Sequence, residues 1–219
     1  MRTRPTTTAA AALTAAVALM LSGCGGSDTE ESGKDKITGA DTGATTSATP
    51  SASASADGIE RPEIKLPSDV RNVFEGAATG DPAKDAVLAD NERMINSIDE
   101  AITVDAKDHP ALKFYSSDNA LIAAASYVQS FYESGTSWSG VTRYYDREVT
   151  LNGEKAATVT YCGDETKSYS KDRKTEKVKK TPGDADDYVS YSARVKKNAE
   201  GVWQTTNVVS ERGAEKCQP

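Results

Sequence analysis

The sequence predicts an α+β domain in which N-terminal helices pack on one face of an antiparallel four-stranded sheet. Two observations carry this. Apolar residues recur at helical spacing between Asp81 and Glu133, and from Gly140 onward they recur at every second position. Asn152-Gly153 then stands between two alternating stretches, the strongest short signal for a tight hairpin.

The elements follow in order. Asp81 reads as an N-cap with Pro82 in the first helical turn. Val87, Leu88, Met94, Ile95, Ile98 and Ile102 then mark a helix to about Ile102. His109-Pro110 interrupts it, because proline disfavours helix in the residue before it, and Ala111 to Tyr115 is a short further turn of helix. A second long helix is expected from Asp118 to Glu133, with Ser117 as N-cap and Gly135 at C′. Its buried face is expected to carry Leu121, Ala125, Val128 and Tyr132, with Ile122 and Phe131 beside them. The first strand covers Val141 to Leu151, with Tyr145, Val149 and Leu151 on one side. The second, Glu154 to Cys162, turns Ala157, Val159 and Tyr161 to one face. The third, Tyr188 to Lys196, aligns Val189, Tyr191, Ala193 and Val195. A turn at Asn198 to Gly201 leads to the fourth, Val202 to Ser210, with Trp203 near its start.

The start of the chain has a different character. Arg2 and Arg4 precede an apolar run from Ala9 to Leu21, the pattern of an export leader, and the run is too short to span a bilayer. Leu21-Ser22-Gly23-Cys24 resembles the lipobox of bacterial lipoproteins at every position. The resemblance implies cleavage before Cys24 and a diacylglycerol on its thiol. Two or three acyl chains anchor stably without a transmembrane helix. The expected division is a leader at 1–23, a lipidated tether at 24–60 and a folded domain at 61–219. The expected location is the extracytoplasmic face of the cell membrane. Gly25 to Gly58 contains one isoleucine and no aromatic residue, so it cannot bury enough apolar surface to order itself and is expected to be a disordered spacer.

The formal charge of −7 over 219 residues excludes the basic footprint of a nucleic-acid binder. No phosphate loop, nucleophile elbow or His/Cys metal cluster is present, so neither cofactor nor metal is expected. With Cys24 committed to lipid, Cys162 and Cys217 remain as an even pair in an exported setting, and a disulfide between them is expected. The chain-entropy model assigns a bridge of that loop length about 4 kcal/mol.

Several short pieces occur in a particular order: His109-Pro110-Ala111-Leu112, Asn119-Ala120-Leu121, Gly135 and Gly140, Ala157-Thr158-Val159, Cys162-Gly163-Asp164, then Gly201-Val202-Trp203 and Cys217. As a set they resemble the small exported or lipid-anchored actinobacterial proteins of the nuclear transport factor 2-like (SnoaL-like, cystatin-like) class, over about Val70 to Cys217. The resemblance implies a curved sheet and helices that together form a cone around a pocket. It implies little about activity.

The candidates for chemistry in such a pocket are few. His109, the only histidine, needs a pocket position and an orienting partner to act as a base; its place before the second long helix reads equally as structural or exposed. Asp146 and Glu148 share a strand face with Tyr144, a spacing that would raise one carboxyl pKa in a pocket but is commoner on a solvated sheet face. Lys167, Lys171, Arg173, Lys174, Lys177, Lys179 and Lys180 crowd one link, interleaved with Glu165, Asp172 and Glu176, which reads as a solvated excursion. The expected function is a non-catalytic binding or interaction module of the cell envelope. Its partner would be another envelope protein, a cell-wall polymer or a small apolar ligand in the cone. The alternatives are a cone-pocket isomerase, dehydratase or hydrolase, and an accessory subunit that docks a partner, including a second copy, through its sheet.

Overall fold

A computed structural model describes residues 57–219. The expected leader, Cys24 and the tether as far as residue 56 lie outside the described residues. The helices lie where the sequence places them. The first, α1 (Pro82–Thr103), starts where the Asp81 carboxylate accepts the N–H groups of Ala83 and Lys84. It ends beside a short helix, α2 (Pro110–Tyr115), and then α3 (Asp118–Glu133) follows. Ser117 occupies the N-cap position of α3 without a capping side-chain bond, and Gly135 has the positive φ of a C′ glycine.

The buried face of α3 departs from expectation. Ala120 and Ala124 are its buried residues, with Leu121, Val128 and Phe131 half-buried, while Ala125 is exposed and Ile122 keeps 67% of its surface in solvent. Ala124 packs against Ala101 and Leu112, so small residues take the crowded contact with α1 and α2. Tyr132 lies outside the core. Its ring sits under the Arg173 guanidinium and its hydroxyl donates to the Ala101 and Val104 carbonyls at the end of α1.

The sheet is mixed and has six strands. The four expected strands appear as β2 (Thr136–Leu151), β3 (Ala156–Asp172), β5 (Tyr188–Lys197) and β6 (Trp203–Arg212). Two more were not expected: β1 (Val70–Phe74), before the helices, and the two-residue β4 (Val178–Lys179). Strand order is β1-β2-β3-β5-β6, with β4 beside β3. The β1–β2 pair is parallel and corrects the expectation of a purely antiparallel sheet; the other pairs are antiparallel. Both β2 and β3 outrun their apolar alternation, because their polar ends pair with each other from Thr136↔Asp172 to Val141↔Lys167.

Two register shifts bend β2 against β3. One lies between Tyr145 and Glu148, where Asp146 takes a positive φ. The extra residue reverses which side chains face inward. Tyr144, not Tyr145, therefore shares the core with Val149 and Leu151, and Tyr145 turns outward to the disulfide. Gly140 marks a second distortion. Its φ is +117° and a Cβ there would lie 2.1 Å from the Lys167 carbonyl oxygen, so only glycine allows the two backbones to approach.

The main core joins α1 and α2 to the inner faces of β2, β3, β5 and β6 through Val87, Met94, Tyr115, Val159, Val195 and Trp203. Ile59 packs on it, so packing begins before residue 61, the expected edge of the domain. Cys162 and Cys217 are disulfide-bonded with Cα atoms 5.5 Å apart, and the Tyr145 hydroxyl donates to the Cys217 carbonyl.

Candidate functional site

Between α3, the second half of α1 and the concave sheet face lies an open cavity of about 550 Å³. Two aromatic groups line it: Tyr127 and Phe131 from α3, and Trp138, Tyr144, Tyr161 and Tyr191 from the sheet. The sheet aromatics form a row. Phe74 stacks on Tyr144 at 5.1 Å, Tyr144 meets Tyr161 edge-on at 6.0 Å, and Tyr161 stacks on Tyr191 at 4.8 Å. Gly163 makes room for the row, since a Cβ there would lie 3.1 Å from the Tyr191 ring and 3.6 Å from that of Tyr144. Burial pushes the Tyr144 and Tyr191 hydroxyls well above the ordinary tyrosine range, so both stay protonated hydrogen-bond groups.

One carboxyl group stands among these rings. Asp99, on α1, lines the cavity and receives a 2.6 Å hydrogen bond from the Asn72 amide of β1 and one from the Trp138 side chain. Desolvation raises its pKa to about 7, outweighing the two hydrogen bonds, and the negative charge of Glu165 adds to the rise. Asn72 is itself fixed by donating to Asn96 at 2.8 Å. Toward the rim, Glu165 is neutralised by Arg212 at 2.7 Å, and the Tyr191 hydroxyl donates to Glu165 at 3.3 Å. Ser116, 1% exposed, also lines the cavity, and its hydroxyl has no partner.

Of the four residues singled out from the sequence for pocket chemistry, His109, Tyr144, Asp146 and Glu148, the structure brings only Tyr144 to this cavity. Asp146 and Glu148 are exposed, because the bulge at Asp146 breaks the alternation that grouped them with Tyr144. His109 sits at the N-cap position of α2, away from the cavity lining, and only its backbone N–H engages a side chain, that of Asp108. The residue that sequence reasoning passed over is Asp99. Its sequence signal was a single acid one position past Ile98 on the apolar stripe of α1, legible only if β1, which supplies Asn72, had been recognised. The basic link divides: Lys171 pairs with Asp69 at 3.1 Å and Arg173 caps α1 through the Ile102 carbonyl, while Lys174, Lys177, Lys179 and Lys180 are exposed. Among the described residues no three His, Cys, Asp or Glu side chains gather as a metal site, and no helix is long and apolar enough to cross a membrane.

Known proteins were compared with this chain in three ways. No family model matches it, and no curated protein does. Among solved structures, it is similar to a ketosteroid isomerase-like protein from Erwinia carotovora atroseptica SCRI1043, with 17% identity and a TM-score of 0.41 over 58% of this chain and 93% of the other. It is also similar to the intermembrane space region of the chloroplast protein ARC6, at 13% identity and a TM-score of 0.39 over 58% and 97%. These likenesses concern the arrangement of helices and sheet, and they bring no substrate or residue role to this chain.

Proposed function

We propose that this protein is a membrane-tethered, extracytoplasmic module that binds a small, mainly apolar molecule in its cone. One observation supports this most: the cone is not closed by its own aromatic side chains but leaves about 550 Å³ open among them, within the usual range for a small-molecule pocket. An apolar lining with few polar groups supplies affinity, and Asp99, Ser116 and the tyrosine hydroxyls supply orientation. The tether and lipid at Cys24 would hold the cone near the membrane surface, where apolar molecules concentrate.

The test is a neutral, environment-sensitive dye, N-phenyl-1-naphthylamine, titrated into the full chain. Saturable one-site fluorescence is expected, and Ala123→Phe, at an exposed position that lines the cavity, is expected to weaken it at least tenfold while circular dichroism stays unchanged. Absence of saturable binding overturns the reading. Release of the Cys24→Ala variant from membranes checks the anchor separately.

A second reading is favoured by one feature. A carboxyl group with a pKa of about 7, near a buried tyrosine hydroxyl, can take and return a proton at neutral pH. Turnover of a bound carbonyl compound that is lost in Asp99→Asn would support proton-transfer catalysis in the cone.

A further inference from the structure

The described cavity lining carries three carboxyl groups, Asp99, Glu165 and Asp187, and one guanidinium, Arg212. Arg212 is already committed: it bonds Glu165 at 2.7 Å and the Asp186 carbonyl at 3.0 Å. Asp187 bonds back to the Asp184 N–H in a capping box at the start of a short 3-10 turn. Asp99 is left with two neutral donors, Asn72 and Trp138, and no cation within ion-pair distance among the described residues. A carboxylate taken out of water is costly unless a positive charge accompanies it. Aromatic rings line the same cavity, and an aromatic face attracts cations and is indifferent or repellent to anions. The unpartnered Ser116 hydroxyl offers a second polar contact on the cavity wall.

We propose that the cavity selects an organic cation, a compact apolar body bearing one ammonium-type charge that seats against Asp99 among the cavity tyrosines. This rests on the reading of the cone as a small-molecule site and names the ligand class for it. An anionic ligand would face uncompensated Asp99. A neutral ligand would leave the carboxylate desolvated and unpaired, so binding it would drive a proton onto Asp99. A cation resolves both difficulties with the groups already in place.

The experiment uses two ligands of the same shape: phenethyltrimethylammonium and its neutral isostere, (3,3-dimethylbutyl)benzene. Each is titrated into the full chain at pH 8. The cation is expected to bind at least tenfold more tightly, and Asp99→Asn is expected to bring the two within about threefold by weakening the cation alone. The unmodified chain supplies a second measurement. The ammonium charge is permanent, so lowering the pH from 8 to 5.5 protonates only the protein, and the cation is expected to weaken at least fivefold while the isostere, whose binding takes up a proton, holds or tightens. The groups near Asp99 in the cavity are Asn72 from β1, Trp138 and Tyr144 from β2, Tyr161 and Glu165 from β3 and Tyr127 from α3. Glu165 is the one other carboxyl group among them, and Glu165→Gln, which keeps Asp99, should retain the pH effect. Equal affinity for the two ligands, or a cation preference that survives in Asp99→Asn, overturns the proposal while leaving the cavity reading intact. Failure of both ligands, with the neutral dye still binding, overturns it too. Failure of the dye as well removes the cavity reading itself.

Discussion

The helix α1 carries two aspartates that the fold treats in opposite ways. Asp90 is 1% exposed and fully provided for: the Arg93 guanidinium approaches at 2.8 Å, Arg61 at 3.5 Å, and the backbone N–H of Trp203 donates at 2.9 Å. It ties the N-terminal segment, the middle of α1 and the start of β6 into one knot at the closed end of the cone. Asp99 lies toward the other end of the same helix. It has an amide and an indole for company, an open cavity in front of it, and a pKa of about 7. The difference separates a structural acid from a poised one. Where burial serves the fold, charge is matched by charge; where it does not, the mismatch is preserved beside empty space.

Removing Asp90 should produce the largest change. Asp90→Ala leaves the buried Trp203 N–H without its acceptor and takes a carboxylate from Arg93 and from Arg61, which keeps Asp57, and the expected loss is about 3–4 kcal/mol of unfolding free energy. Urea denaturation checks this. A loss below about 1 kcal/mol would erase the contrast with Asp99.

Asp99→Asn should act with the opposite sign. The folded pKa of about 7 lies above the ordinary 3.8, so between these values the native state holds a proton that the unfolded chain has released. Stability then falls as pH rises through that window. The cost of Asp99 is near zero below pH 4 and complete above pH 7. The amide removes that cost and can still accept hydrogen bonds from Asn72 and Trp138. Relative to the unmodified chain, Asp99→Asn should be about 2–4 kcal/mol more stable at pH 8 and nearly equal at pH 4. Thermal unfolding at the two pH values decides it, and a destabilised variant at pH 8 would mean Asp99 is structural after all.

Legibility in the sequence followed the same division. The knot at the closed end was partly visible: Asp81-Pro82 fixed the start of α1, the apolar repeat fixed its length, and the alternation in β5 placed Val189, Ala193 and Val195 inward as found. Helix positions depend on local patterns, and these are written in neighbouring residues. The open end depends on non-local geometry. Tyr144 was separable from Asp146 and Glu148 only once the bulge was known, and a bulge is chosen by how β2 pairs with β3. On α3 the period was clear but the phase was not, because alanine, isoleucine and tyrosine occur all round the helix; contact with Ala101 and Leu112 selected the alanine face. Asp99 could not be distinguished from any other acid on α1, since what makes it unusual is supplied by residues from β1 and β2.

The smallest expected effect probes how far the poise of Asp99 depends on its neighbours. Glu165 adds to the rise of the Asp99 pKa but is not its main cause, which is desolvation. Glu165 is also half of a partly exposed pair with Arg212, with side-chain exposures of 24% and 52%, and such pairs contribute below about 1 kcal/mol. Glu165→Gln should therefore leave stability nearly unchanged while lowering the Asp99 pKa slightly, because a negative charge has been removed and burial remains. The side-chain carboxyl carbon of Asp99, followed by NMR from pH 5 to 9, reports the shift directly. A collapse of the Asp99 pKa to the ordinary carboxylate range in Glu165→Gln would assign its poise to charge repulsion across the cavity, and the contrast with Asp90 would then lie in the arrangement of charges between strands instead of in the dryness of the cone.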